Sequence, residues 1–386
     1  MTGFHPGISI DHVRATPVSD AELRGDILAV VGVVLEERWP PGAAVGDLVQ
    51  LWVLDVDAFR DHPDRSRLDP ITRGAVASAF SNGSRDILVM GVCVRAPQDI
   101  CQDDRVRAGI LDALDDAETV ALVTVPILGY LASHSVELVL PLIRDLMVQA
   151  ARMPLRMVLL DAPRDAGEME VLAFAERIRG MKDIDSSYGA IYWPWVEVGD
   201  RVMPPSPAVA GLFSRVEHEH QPHGIHWPPA NQPLRNVTAP QVELTWNEGA
   251  RLLEDGINPI LVQRGRGVVV WGARTLSPDP TYRFINARRI VSYTIELLRR
   301  DAEWVVFEHQ RPELWGTVGR MVRARLDELW GAGLLTGERA GNEYLVRCDE
   351  ELNPPAVRDA GEIRVRVKLR PISTMEFVEV ELAMGT

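Results

Sequence analysis

Residues 71–94 read ITRGAVASAFSNGSRDILVMGVCV, and the fold turns on how this stretch divides. Its first half is a helix candidate closed at Asn82-Gly83, where left-handed backbone is tolerated, and its second half is an apolar strand. The alternation extends in both directions. Upstream lie the apolar runs ILAVVGVVL (27–35) and LVQLWVLD (48–55). Downstream come a strand TVALVTVPI (119–127), a helix VELVLPLIRDLMVQAARM (136–153), a strand RMVLLDAP (156–163), a helix GEMEVLAFAERIRGM (167–181) and a strand in SYGAIYWPWVEV (187–198). Strands alternating with helices predict an α/β domain.

Residues 203–237, MPPSPAVAGLFSRVEHEHQPHGIHWPPANQPLRNV, are rich in proline, histidine and asparagine and read as a long ordered loop region with one short helix. From about 241 the character changes to an α+β unit. Its elements are NEGARLLEDGINPI (247–260), a strand VVVWGARTL (268–276) and helices over INARRIVSYTIELLRRDAEW (285–304) and PELWGTVGRMVRARLDELWGAGLL (312–335). Two alternating strands close it, EIRVRVKLR (362–370) and FVEVEL (377–382), the second placing Val378, Val380 and Leu382 on one face beyond Phe377. At the other terminus, Pro6-Gly7 precedes an alternating run with Ile8 and Ile10 on one face, and a polar stretch through Thr16-Pro17 follows, so a detached strand on a tether is predicted.

At 386 residues the chain has room for about two or three domains. Its net charge of −14 is uneven: residues 251–386 carry 20 basic and 20 acidic side chains, leaving 21 and 35 for residues 1–250. An acidic first two-thirds argues against sequence-independent nucleic-acid binding, which needs a basic surface to displace counterions from phosphates. Lys182 and Lys368 are the only lysines and neither follows glycine in a Walker context, so a phosphate loop is excluded. Cys93, Cys101 and Cys348 are too widely spaced for a zinc ribbon or a disulfide framework, and a reducing compartment is expected. No apolar run is long enough to span a bilayer, so the expected site of synthesis is the cytoplasm, with no membrane insertion.

Two features raise the prospect of chemistry. His218, His220, His223 and His226 fall together in HEHQPHGIH, yet the run is broken by proline, has no nearby cysteine and forms no H-E-x-x-H helix. Asp161, after MVLL, stands at a strand end where α/β enzymes keep functional carboxylates; a helix cap or turn before Ala162-Pro163 explains it equally. No nucleophile elbow exists, and Ser206 lies between prolines. No catalytic residue, metal or cofactor is assigned. Arg320 and Arg323 lie one helical turn apart, reading either as a solvated face paired with Asp327 and Glu328 or as a docking face for an acidic partner.

The order of motifs is more specific than any one of them: SSYGAIYWPWVEV (186–198), MPPSPAVAGLFSR (203–215), GIHWPPAN (224–231), GINPILVQRGRGVVVWGARTLSPDPTYRFINARRI (256–290), WVVFEHQRPELWGTVGRMVRARLDELWGAGLLTG (304–337) and EYLVRCDEELN (343–353). This series resembles the contractile tail sheath family of myophages, R-type pyocins and contractile injection systems. PGISIDHV, VVGVV and AFSNG extend the likeness toward the N-terminus.

The resemblance implies a structural subunit, stacked as hexameric rings around an inner tube, that contracts to drive the tube through a target envelope. It implies an arm and linker over 1–24, an outer α/β domain over 25–240, an inner α+β domain over 241–372 and a C-terminal arm over 373–386. The arms, with Pro6, Gly7, Ile8 and Ile10 at one end and Phe377, Val378, Val380 and Leu382 at the other, would add strands to neighbouring subunits; an open strand edge invites such pairing. The helix Pro312–Trp330 would face the inner tube through Arg320 and Arg323. WGARTLS (271–277) would pack inside the inner domain, Gly272 allowing close approach and Arg274 bridging carbonyls or carboxylates. Implied partners are further copies, the tube protein, and baseplate and terminator proteins, in a phage tail or phage-tail-like particle. The competing readings are a hydrolase or transferase using Asp161 and the His218–His226 cluster, and a non-contracting baseplate-proximal paralogue.

Overall fold

The computed structural model describes residues 23–39, 42–153, 155–307, 312–336, 344–372 and 378–385, the last segment as backbone. The N-terminal arm, with Pro6, Gly7, Ile8 and Ile10, and Phe377 of the C-terminal arm lie outside these residues. Two compact units are present, one over Arg24–Arg288 and one built from Arg289 onward.

The first unit runs through β1 (Leu28–Leu35), β2 (Leu48–Val53), α1 (Pro70–Asn82), β3 (Ile87–Val94), α2 (Asp104–Asp116), β4 (Leu122–Thr124), α3 (Val136–Arg152), β5 (Met157–Asp161), α4 (Glu168–Arg179) and β6 (Gly189–Trp193). It continues with β7 (Val196–Val198), β8 (Arg201–Met203), α5 (Ser206–Glu219), β9 (Gln232–Pro233), β10 (Ala239–Pro240), α6 (Trp246–Glu254), β11 (Ile257–Gln263) and β12 (Gly267–Val270). Nine strands form one sheet in the order β2-β3-β1-β4-β5-β6-β11-β12-β9, parallel from β3 through β11.

A parallel sheet needs both faces covered, which is why β1 and β3 are apolar along their whole length. Alternate residues supply separate cores. Ala29, Val31 and Val33 with Leu88, Met90 and Val92 pack with side chains of α2, α3 and α4. Leu28, Val30 and Val34 with Ile87 and Val89 pack with Ala75, Val76 and Ala79 of α1 and with Leu212, Phe213 and Val216 of α5. Asp69 starts α1 by accepting from the main-chain nitrogens of Ile71 and Thr72 at 2.9 and 3.0 Å, with Pro70 at the first helical position. Gly83, with φ of 125°, ends it as read.

The structure departs from the sequence reading in three places. Helix α5 has 14 residues and Ser206–Val216 are all buried, where a loop region with one short helix was expected. Its prolines mark a helix start, and burial on all sides leaves no polar stripe to reveal the period. Helix α2 was not anticipated, although Asp103 caps it and Val106, Ile110, Ala113 and Leu114 recur on one buried face. The change of unit falls at Arg288/Arg289 and not at 240/241, because β11 extends the first unit's sheet by pairing parallel with β6, Ile257 opposite Ile191.

The second unit contains most of α7 (Ile285–Asp301), then α8 (Pro312–Gly331), β13 (Tyr344–Arg347), β14 (Glu362–Leu369) and β15 (Val378–Gly385). The last three strands form an antiparallel sheet in the order β13-β14-β15. Val318, Val322, Leu326 and Leu329 are buried at helical spacing along α8.

Close backbone approach between α1 and α5 is set by Gly211, where a Cβ would stand 2.3 Å from the carbonyl oxygen of Ala79. Gly→Ala inside a helix ordinarily stabilises by roughly 1 kcal/mol. Here steric overlap reverses the sign, and Gly211→Ala is expected to cost about 1–3 kcal/mol. Gly331→Ala, where nothing lies within 4 Å, is the control. Thermal melts are expected to show a midpoint several degrees lower for the first variant and unchanged or raised for the second.

Candidate assembly surface

Helix α8 presents Arg320 and Arg323 on its exposed side together with Gly316, Thr317 and Ala324. The carboxylates proposed to neutralise them are engaged elsewhere. Asp327 accepts from the hydroxyl of Tyr344. Glu328 lies 2.6 Å from Nη1 of Arg325, whose Nε and Nη2 hold Asp301 at 2.7 and 2.8 Å. Arg320 donates to Thr317 Oγ1 at 3.0 Å, and Arg323 to the carbonyl of Val346 on β13 at 3.3 Å. Among the described residues neither guanidinium is paired with a carboxylate. An arginine so held keeps its charge for a partner while its stem is positioned.

Beside this helix's β13 contact lies the sheet that ends in β15. The register sets Ile363, Val365, Val367 and Leu369 of β14 opposite Met384, Leu382, Val380 and Val378. On alternate positions, Arg364, Arg366 and Lys368 stand opposite Ala383, Glu381 and Glu379. The sequence reading noted the alternation in both strands; the complementary charges on their intervening positions were equally legible and were missed.

WGARTLS lies in the first unit, not the second as expected. Gly272 does permit close approach: a Cβ there would be 2.6 Å from Oδ1 of Asn258. Buried Asn258 stitches β6 to this segment, donating to the carbonyls of Ile191 and Arg274 at 3.1 and 2.8 Å and accepting from the Arg274 nitrogen at 2.6 Å. Among the described residues Arg274 is paired with no carboxylate; its guanidinium lies 4.4 Å over the ring of Phe284. The glycines Gly265 and Gly267, with φ of 78° and 83°, serve the β11–β12 turn.

The two parts of the enzyme reading are not brought together. Asp161 is buried and accepts from Ser206 twice at 2.7 Å, from the main-chain nitrogen and from Oγ, which also contacts Thr124 Oγ1 at 2.5 Å. It thus anchors the start of α5. His218 and His220 are at the other end of that 14-residue helix, about 20 Å away along its axis. There His220 stacks on Trp227 at 4.0 Å and its Nδ1 lies 2.9 Å from the Val216 carbonyl, while His226 Nδ1 lies 2.6 Å from the His223 carbonyl. Burial, with nearby His220 and His223 adding to it, holds His226 below the usual imidazole range. Among the described residues no group of three or more His, Cys, Asp or Glu is placed to hold a metal.

Residues 143–276 match the phage tail sheath protein central domain, and residues 277–384 match the phage tail sheath C-terminal domain. The chain belongs to the tail sheath family. A putative prophage major tail sheath protein of Pseudomonas aeruginosa is 22% identical over 56% of this chain and 55% of its own length. The tail sheath protein of Enterobacteria phage T4 is 26% identical over 51% of this chain and 30% of its own. The chain thus spans about half the length of the first of these relatives and under a third of the second. The helical sheath of the anti-feeding prophage in its contracted state, solved by cryo-electron microscopy, superposes with a TM-score of 0.67 at 22% identity over 97% of both chains. The fold is therefore shared nearly end to end with that sheath subunit.

Within this family fold Asp161 has a measurable signature. Burial pushes its carboxyl up to about 7, against the two hydrogen bonds from Ser206 that favour the ionised form. A raised carboxyl means that the folded state holds a proton the unfolded chain has released, so this group's contribution to stability falls as pH rises from about 4 to 7. Asp161→Asn has no such proton to lose. Thermal melts at pH 5 and pH 8 are expected to show the variant gaining on the wild type at the higher pH; parallel shifts would remove the assignment.

Proposed function

We propose that this chain is a structural subunit of a contractile sheath that stacks as hexameric rings around an inner tube and shortens to drive that tube through a target envelope. The match to both sheath domains across residues 143–384 carries this reading. The likeness to a sheath in a contracted state supports the contractile version of it. In this proposal the first unit faces outward and the second lines the tube. Contraction draws on free energy stored at assembly, as interfaces exchange for more favourable ones. No helix of the described residues is long and apolar enough to cross a membrane, and the particle is assembled inside the bacterium as a phage tail or phage-tail-like machine.

Strands at the termini link neighbouring copies by main-chain hydrogen bonds that survive reorientation of the subunits. The N-terminal strand around Ile8 and Ile10 and the C-terminal strand Val378–Gly385 fill that role. The tube-facing element is α8, whose Arg320 and Arg323 are paired with no carboxylate among the described residues and meet acidic groups on the tube. Baseplate and terminator proteins bound the polymer at its two ends.

Reversing both charges, Arg320→Glu with Arg323→Glu, is expected to reduce sheath on co-expressed inner tubes at least about tenfold. Negative-stain electron microscopy reads this directly, with size-exclusion chromatography establishing that the variant subunit folds. Tubes coated at wild-type occupancy would remove α8 from the tube interface.

A further inference from the structure

The strand assigned above to linking copies is, in this chain, paired with its own β14. All eight residues of β14 have a partner in β15, from Leu369 opposite Val378 to Glu362 opposite Gly385. The pairing is matched on both faces of the ladder. Apolar positions oppose apolar positions, and Arg366 and Lys368 oppose Glu381 and Glu379. Opposite charges directly across an antiparallel pair stabilise it, and like charges there destabilise it.

The connection between the two strands divides at Ile372. Residues up to that point are fixed to the segment that follows α8: the Thr336 nitrogen donates to the Arg370 carbonyl and the Ile372 nitrogen to the Leu334 carbonyl, each at 2.9 Å. Strand β14 therefore stays with its unit whether or not β15 is present. Only residues 373–377 separate this anchor from β15. Their contour, about 20 Å from Ile372 to Val378 when extended, sets how far the strand can be carried from this anchor.

We infer that the free subunit is closed by its own C-terminal strand, and that polymerisation replaces this strand with the same strand of a second copy. The inference rests on the sheath reading and adds a resting state to it. Because the copies are identical, the cis and trans ladders contain the same pairs. What separates them is effective concentration: a short connector presents the cis strand at roughly millimolar level, so a dilute subunit closes on itself. Where subunits are gathered on a ring, the local concentration of foreign strands competes and exchange becomes possible. Closure also covers an edge that would otherwise pair indiscriminately. The partner is thus a second copy of this chain, and the cis strand is the inhibitor it displaces.

The test bridges a register pair in the full-length chain with Arg366→Cys and Glu381→Cys. Half-buried Cys348 is changed to serine, and Cys93 and Cys101 are left in place because they are buried. Facing residues of an antiparallel ladder lie within disulfide reach. The oxidised subunit is expected to be a monomer with an intramolecular bridge that forms at least about tenfold less sheath on co-expressed tubes, and reduction is expected to restore the wild-type yield. Independently of any substitution, hydrogen exchange on the free wild-type subunit is expected to show protected amides in both 362–369 and 378–385. Sheath formed at wild-type yield by the bridged chain, or unprotected amides in 378–385 of the free subunit, overturns the inference. A wild-type chain that coats no tube under any condition overturns the sheath reading beneath it, a distinct result.

Discussion

The carboxylate of Asp161 holds the first turn of α5 at the ends of β4 and β5, and the rest of the first unit is arranged around that attachment. A parallel sheet with one open face would expose the alternate side chains of β1 and β3 to water. Helix α5 closes that face together with α1, and the two come close enough that the carbonyl of Ala79 occupies the space of a side chain at Gly211. The cost of burying a carboxylate is offset by the fixed position it gives to a helix that has almost no contact with solvent.

A second buried polar group works at the opposite end of β5. Arg156 donates to the carbonyls of Leu114, Ala117 and Val120 at 2.8, 2.6 and 3.0 Å, satisfying the end of α2 and the approach to β4. Desolvation pushes its guanidinium down to about 10, still charged at neutral pH, and a cation is favoured at a helix C-terminus. The middle of the sheet is thus tied at one end of β5 by a buried carboxyl at a helix start and at the other end by a cation at a helix end. These contacts join segments far apart in sequence, which is why no local pattern announced them.

What could be read beforehand follows the same division. Apolar runs, the Asn82-Gly83 helix stop and the strict alternation in 362–370 are local signals, and the elements they indicate are present. Helix α5 was under-read because a helix buried on every side has no polar face to set its period. The boundary at Arg288 was misplaced because β11 looks, by sequence, like the opening of a new unit, and only its pairing with β6 assigns it to the old one. Arg320 and Arg323 could be placed on one helical face from spacing alone. That their neighbours Asp327 and Glu328 are committed to Tyr344 and Arg325 could not, since Tyr344 comes from another element and Arg325 is shared with Asp301.

The ladder between β14 and β15 also bears on inheritance. Each rung joins two residues written in one gene but, in an exchanging polymer, carried by different molecules. A change at Arg366 alters the partner favoured at Glu381 in every copy at once. Copies whose ladders differed in such charges would pair less readily with one another than with their own kind. The closing hairpin would then act as a self-recognition code, keeping foreign subunits out of the tube by the same contacts that hold its own together.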